Sequence, residues 1–297
     1  MREVAERVQP LKLSILMCAF NEQERIEQSM NEVLRTSYPC EVELIVVDDG
    51  STDDTALIAE KISDPRLVVH RLKENMGKGY ALRRAAALAT GTYILPFDAD
   101  LEYSPDDIPR MIEPIVRRNY PAVYGSRIFG RNTVYQSYRY AMGNRILTRI
   151  ANILFDAHLS DLHTCLKLIQ LEKFSQLALT EARFGLDTEL TATLLRLGVR
   201  PFEVPVSYYS RSHAEGKKIG WRDAVRCVVI LIKVRVRPRE RLFADEFDQG
   251  QVTMPGNMSD ESNARSCQPD EESDASLVGC GADVEHNAHG FEGGLRA

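Results

Sequence analysis

The chain has 297 residues, a formal net charge of −6 and six cysteines, a length suited to one large α/β domain or two small ones. Its acids are concentrated: residues 242–297 hold twelve Asp/Glu against two Lys/Arg, a net −10, which leaves residues 1–241 at +4. No apolar run approaches the roughly 20 residues that span a bilayer, residues 1–12 lack the apolar stretch of a secretory signal, and cysteines without C-x-x-C spacing read as reduced thiols in a cytoplasm.

Leu13–Cys18 reads as a strand that runs into Phe20-Asn21-Glu22. A helix is expected over Asn21–Arg35, with acids in its opening turns that suit the helix dipole, until Ser37-Tyr38-Pro39 breaks it. Val42–Val47 is a continuous apolar run and so a buried parallel strand, ending in Asp48-Asp49-Gly50. Ser51 or Thr52 is expected to cap a helix reaching about Ile62. Leu67–Leu72 is a further strand, Asn75–Gly79 a tight loop, and Tyr80–Thr90 a helix that Gly91 ends. Tyr93–Phe97 leads into Asp98-Ala99-Asp100-Leu101-Glu102.

The second half is less regular. A helix is expected over Asp107–Arg118, a strand over Ala122–Tyr124 before Gly125-Ser126-Arg127, then a polar stretch to 139 and a helix over Tyr140–Phe155. Cys165–Ile169 reads as a strand and Thr188–Leu197 as a helix. Pro205 between Phe202–Val204 and Val206–Tyr209 marks an edge strand. Gly220-Trp221 opens a last helix over Asp223–Val236.

Strands alternating with helices, three of them ending in polar or acidic residues, form a βαβαβ pattern whose ligands collect at the carboxyl ends of the strands. Two carboxylates two residues apart at such an end converge on a hard cation. Mg²⁺ or Mn²⁺ held this way keeps open positions for phosphate oxygens. Asp98, Asp100 and Glu102 are therefore the candidate metal ligands, with Asp100 first. Asp48 and Asp49 face them as candidates for ribose and base, though Asp49 also suits a turn-organising role. Lys78 is a candidate phosphate contact, but not in a Walker loop, because the G-x-x-x-x-G-K spacing is absent. Arg127, Arg211, Lys217 and Lys218 are further phosphate candidates, since guanidinium groups fork onto phosphate oxygens. Asp156, His158, Asp161, His163 and Cys165 cluster in sequence, but their spacing fits no common zinc pattern.

Where a dinucleotide oxidoreductase needs G-x-G-x-x-G and a nucleotide-sugar pyrophosphorylase needs a Gly-rich basic loop, this chain has Cys18-Ala19-Phe20-Asn21. The ordered motifs instead resemble the family 2 glycosyltransferases with a GT-A fold, most of all the polyprenyl-phosphate mannosyl- and glucosyltransferase branch. Phe20-Asn21-Glu22 resembles the opening Y-N-E, Val47–Ser51 the second motif, Asn75–Gly79 the N-x-G-K-G loop, and Asp98–Glu102 the D-A-D-L-[QE] metal motif. Asp161–Lys167 resembles D-x-x-T-C-[YF]-K and Gly185–Leu190 resembles G-F-[ED]-x-E-[IL]; Glu203–Val206 and Arg211–Ile219 match the closing motifs.

The resemblance implies a Rossmann-like α/β domain with a mixed central sheet flanked by helices. It implies inverting transfer of a hexose from GDP-mannose or UDP-glucose to an acceptor, with a polyprenyl phosphate as the leading candidate. Phe20, Glu22, Asp48, Asp49, Lys78, Asp98, Arg127, Arg211, Lys217 and Lys218 would then contact the donor. Asp161 would serve as general base or acceptor orienter, with Glu189 second. An acceptor that is already a phosphate needs little base help, and Asp161 would then place a basic residue. Met-Cys-Ala where a Pro is usual, His163 for an acid and Leu166 for an aromatic depart from the pattern and bear on the acceptor. A soluble small-molecule acceptor is the alternative, and a non-catalytic nucleotide-sugar-binding protein a further one.

The domain is drawn over residues 11–238, after an extension at 1–10 and before an acidic, Ser/Gly-rich tail at 239–297 that reads as disordered. No nucleic acid is expected as a partner. Residues 211–241 carry ten Lys/Arg and three Asp/Glu among Val225, Val228, Val229, Ile232 and Val236, which share a helical stripe. Such a segment suits peripheral contact, through 217–239, with the inner face of a membrane; a helix packed on its own domain suits it equally.

Overall fold

The structure is a computed structural model that describes residues 11–129, 133–134, 137–210 and 221–244. Apolar runs become β1 (Lys12–Ala19), β2 (Glu41–Asp48), β3 (Leu67–Arg71) and β4 (Tyr93–Asp98), all mutually parallel. Between them lie α1 (Ile26–Arg35), α2 (Thr55–Lys61) and α3 (Lys78–Leu88). The sheet has seven strands in the order β3-β2-β1-β4-β7-β5-β8, with β5 at Ala122–Ser126, β7 at Lys167–Gln170 and β8 at Phe202–Pro205. β7 runs antiparallel to both neighbours. β8 is an edge strand, as Pro205 requires, because a proline cannot donate to a further neighbour. A second sheet pairs β6 (Thr133–Val134) with β9 (Tyr208–Tyr209).

Alternation along the strands divides the core. Leu13, Ile15 and Met17 face one layer, with Ile26, Met30 and Val33 of α1 and Met111, Ile112 and Ile115 of α4 (Ile108–Arg118). Leu16, Ile45 and Val47 face the other, with Ala81, Leu82 and Ala85 of α3 and Leu190 and Leu194 of α7 (Leu186–Arg196). This is the two-residue period of a strand buried on both faces. A third cluster lies among α5 (Tyr138–Phe155), α7 and α8 (Trp221–Val236).

Three details differ from the sequence expectation. The first helix begins at Ile26 rather than Asn21, because Asn21 sits in the left-handed region (φ 55°) and its side-chain oxygen accepts from the Thr52 amide at 2.9 Å. A short helix, α6 (Leu171–Ser175), follows β7 where none was expected. Packing also continues past residue 238: Arg239–Leu242 forms a 3₁₀ turn, Leu242 is fully buried, and Phe243 bridges Leu177. Among the described residues, no helix is long and apolar enough to cross a membrane.

Candidate active site

The parallel strands deliver their motifs to one sheet edge, in adjacent register: Ala19 pairs with Asp48, and Cys18 with Asp98. The loops after β1 and β2 lock together. The Asn21 amide donates to Ser51 Oγ at 2.9 Å and the Glu22 amide to Thr55 Oγ1 at 2.8 Å. Phe20 is left exposed on this rim, and the Glu22 carboxylate lies 3.4 Å from Arg25.

Asp48 is fully buried. Its Oδ2 accepts from the Ser51 amide at 3.2 Å, with Arg71 Nε at 3.6 Å, while Oδ1 has no hydrogen-bond partner. A buried oxygen without a donor costs about 1–3 kcal/mol, which a ligand N–H or O–H would recover. Asp49 is placed differently. Its two oxygens accept from the amides of Met76 and Gly77, at 2.8 and 2.9 Å, so it builds the Asn75–Gly79 loop, the second of the roles its position allowed. Gly77 has φ +93°, and a Cβ there would meet the Ala182 carbonyl at 2.6 Å. The close approach that this glycine permits is therefore to the chain itself.

That loop aims Lys78. Its ammonium lies 2.7 and 2.9 Å from the two oxygens of Asp98, and 3.9 Å from Asp187 at the start of α7. Asp187 in turn pairs at 2.9 Å with Lys167, whose side chain is fully buried and donates to the Thr164 carbonyl. Four alternating charges thus run from the core to the end of β4. Burial works against the Lys78 ammonium, but Asp98 and Asp187 outweigh it and hold its pKa well above the ordinary value. Burial also raises the Asp187 carboxyl, yet Lys167 and Lys78 bring it below its usual range.

The three expected metal ligands are not brought together as a cage. Asp98 is committed to Lys78; Glu102 is buried and accepts from the Tyr208 hydroxyl at 2.8 Å; Asp100 Oδ1 accepts from the Glu102 amide at 3.1 Å. Leu101 between them has φ +61°. Among the described residues, no group of three or more His, Cys, Asp or Glu stands ready to hold a metal ion, and the Asp156–Cys165 run forms no such group either.

Both candidate bases have other partners. Asp161 is fully buried and accepts from Arg127 Nε at 2.6 Å, Arg127 Nη2 at 2.7 Å and Asn144 Nδ2 at 2.8 Å. Burial alone would raise its pKa, but the guanidinium brings it down to about 2. Such a group is a weak proton acceptor; it fixes Arg127, whose guanidinium also lies over the Tyr208 ring at 4.9 Å. Glu189 is not a helix-surface acid: it is buried and accepts from the amides of Thr180 and Glu181 and from the Thr180 hydroxyl, all within 2.9 Å. It ties down the segment against which Gly77 packs. His163 bridges Asn144 and Thr188 at 2.9 and 3.0 Å, and burial lowers its pKa to about 4. Arg211, Lys217 and Lys218 lie outside the described residues.

Sequence reading passed over Asp187, Lys167 and Asn144 as site residues. The first two stand inside quoted motifs, one opening a helix and one following T-C-x. Asn144 carried no signal beyond its place on a basic helix.

Residues 14–177 match the model of glycosyl transferase family 2. Among curated proteins, the chain is 28% identical over 203 residues to glycosyltransferase AglJ of Haloferax volcanii, covering 68% of this chain and 64% of that one. It is 35% identical over 131 residues to dodecaprenyl-phosphate galacturonate synthase of Rhizobium johnstonii, covering 42% of this chain and 39% of that one. The chain thus spans less than two thirds of these relatives. Among solved structures it is similar to glucosyl-3-phosphoglycerate synthase of Mycobacterium tuberculosis in complex with uridine diphosphate, with TM-score 0.58 and 22% identity over 77% of this chain and 81% of that one. The same enzyme with Mn²⁺, uridine diphosphate and phosphoglyceric acid gives TM-score 0.58 and 21% identity over 77% and 80%. These likenesses show the GT-A fold that the motifs implied.

Proposed function

The chain belongs to glycosyl transferase family 2, and we propose that it moves a hexose from a nucleotide-diphosphate sugar to a polyprenyl phosphate, with inversion. One observation carries the donor side: an unpartnered buried oxygen of Asp48 ends β2, and the Lys78 ammonium is held by Asp98 at the end of β4, the two strands that flank β1. Asp48 offers the acceptor that a ribose hydroxyl or base N–H needs. Lys78 supplies fixed positive charge where a diphosphate leaves, and its double pairing to Asp98 and Asp187 holds it there.

Mg²⁺ or Mn²⁺ is assigned to Asp100. An ion that takes one or two protein carboxylates and completes its shell with phosphate oxygens and water fits this geometry better than one needing three protein acids. When bound, it would neutralise charge developing on the leaving diphosphate. The M. tuberculosis enzyme crystallised with Mn²⁺ and uridine diphosphate supports this use of a metal.

The acceptor follows from the engaged carboxylates. A hydroxyl acceptor needs a base, whereas a phosphate monoester is already ionised near neutrality. Asp161 and Glu189 are occupied in holding Arg127 and the 180–181 segment, which favours the phosphate, and the galacturonate synthase of R. johnstonii is named for such a lipid. Exposed Val225, Val229, Ile232 and Val236 along α8, with Lys233 and Arg235 beside them, support peripheral contact with an anionic bilayer.

The test is a panel of GDP-mannose and UDP-glucose run against polyprenyl phosphate and against water-soluble acceptors, with Mn²⁺. Transfer to the lipid phosphate, lost in Asp100→Asn and on adding EDTA, is the expected result. Transfer only to soluble acceptors would overturn the acceptor assignment, and full activity in EDTA the metal assignment.

A further inference from the structure

β9 is two residues long, yet it is held on both sides. On one side it pairs with β6, where the Thr133 hydroxyl donates to the Arg127 carbonyl at 3.0 Å. On the other, Tyr208 bridges Tyr103, and the Tyr209 amide donates to the Glu102 carbonyl at 2.8 Å. β9 therefore joins the segment that carries Arg127 to the turn that closes β4. The Tyr208 side chain makes the same join. It is buried, and its hydroxyl donates to Glu102 Oε2 at 2.8 Å. Its ring has Tyr103 tilted against it at 5.2 Å and the Arg127 guanidinium over its face at 4.9 Å.

The turn it reaches is strained. Leu101 has φ +61°, a region that a residue with a Cβ occupies at a cost and keeps only where its surroundings over-determine it. Within the turn, the Glu102 amide donates to Asp100 Oδ1 at 3.1 Å. From outside, Tyr209 takes the Glu102 carbonyl and Tyr208 takes its carboxylate. Packing against Tyr103 and Arg127 asks only for a ring. The hydroxyl adds a hydrogen bond to a buried carboxylate, one of the stronger kinds, and places it on the residue whose amide fixes Asp100. We infer that Tyr208 is a positioning residue: its hydroxyl anchors Glu102 and so sets where the Asp100 carboxylate stands, while its ring backs the Arg127 guanidinium. Glu102 is then the anchor of the turn and not a metal ligand. This rests on the transferase reading, and names the residue that keeps its cation-binding acid in register with Arg127.

Tyr208→Phe keeps the ring beneath Arg127 and removes the hydroxyl. In the full-length protein without metal or nucleotide, hydrogen exchange at the Leu101 and Glu102 amides should rise about tenfold, or about 1.4 kcal/mol, near the lower end for a hydrogen bond to a charged group. Exchange in β1 and β2 should stay at the wild-type rate. In protein saturated with uridine diphosphate or guanosine diphosphate, Mn²⁺ affinity read by electron paramagnetic resonance should fall about tenfold. Nucleotide affinity without metal should not change. Glu102→Gln, which keeps an acceptor for the phenol, should lose less Mn²⁺ affinity than Tyr208→Phe does. Exchange that rises alike across the sheet would reduce Tyr208 to core packing and overturn the inference. So would wild-type exchange at the turn, wild-type Mn²⁺ affinity in Tyr208→Phe, or no Mn²⁺ binding by the wild type. A Glu102→Gln loss as large as that of Asp100→Asn would overturn it too, since Glu102 would then be a metal ligand. The expected shifts in a protein that transfers no sugar across the donor and acceptor panel would leave the positioning role standing and defeat the transferase reading alone.

Discussion

Replacing Asp161 by Asn separates a structural carboxylate from a catalytic one. In the native chain Asp161 is fully buried and receives three side-chain hydrogen bonds, two of them from a guanidinium that is itself largely buried. Removing one partner of such a pair costs about 3–5 kcal/mol, because the other charge stays buried and uncompensated. Asn keeps one acceptor oxygen, so the lower figure, about 3 kcal/mol, applies. For an ordered region of this size each kcal/mol lowers Tm by about 2–4 °C, giving a fall of roughly 6–12 °C. Urea unfolding and calorimetry measure it. The pH dependence gives a second reading. The folded carboxyl titrates at about 2, below the unfolded value of about 3.9, so its contribution is complete above about pH 4 and disappears as the pH falls through 2. Asp161→Asn should flatten the stability profile in that window. A variant with wild-type stability but no turnover would refute the reasoning and return Asp161 to the role of proton acceptor.

The buried neutral His163 acts in the opposite sense to a salt-bridged histidine. Between about pH 6.5 and 4 the unfolded chain takes up a proton that the folded chain refuses, so stability should fall on acidification by up to about 1.4 kcal/mol per pH unit; His163→Gln should remove that slope in urea titrations. Gly77→Ala is expected to destabilise by about 1–3 kcal/mol and to weaken nucleotide binding, because the residue has φ +93° and its Cβ would strike Ala182. Gly143→Ala, in the interior of α5 with nothing within 4 Å of its Cβ, should instead stabilise by about 0.5–1 kcal/mol in the same assay. Val229→Ser with Ile232→Ser should reduce co-sedimentation with anionic vesicles while leaving Tm within about 2 °C, since both side chains are exposed.

The parallel half of the sheet was legible because its signals are local. β1, β2 and β4 are continuous apolar runs, each closed by a polar motif, and a parallel sheet places such motifs at one edge without further information. The antiparallel seating of β7 was not legible: a four-residue strand pairs with Tyr93–Ile94 and Ala122–Tyr124, far away in sequence. The acids show the same limit. Sequence identified Asp49, Asp161 and Glu189 as acidic and well placed, but not that each spends its oxygens on particular amides or on Arg127. Those partners lie 8 to 34 residues away, and no spacing rule connects them. Asp48 was told apart from Asp49 only by the loop that folds over the latter.

The position of β7 also sets an order of assembly. β1 to β4 form through short parallel crossovers and complete their pairing as they are synthesised. β5 cannot join them directly, because its only route to β4 is through β7, which begins roughly forty residues later. At ~5–20 residues per second, the ribosome takes roughly 2–8 s to supply it. For that interval β4 presents an unpaired edge of Tyr93–Asp98, which is apolar for most of its length and free of lysine or arginine. Exposed edges of this kind recruit other chains. Nascent chains stalled between residues 130 and 165 are therefore the species from which aggregation of this protein should start, and a trigger-type chaperone acting in that window should raise the yield of folded protein more than one added after release.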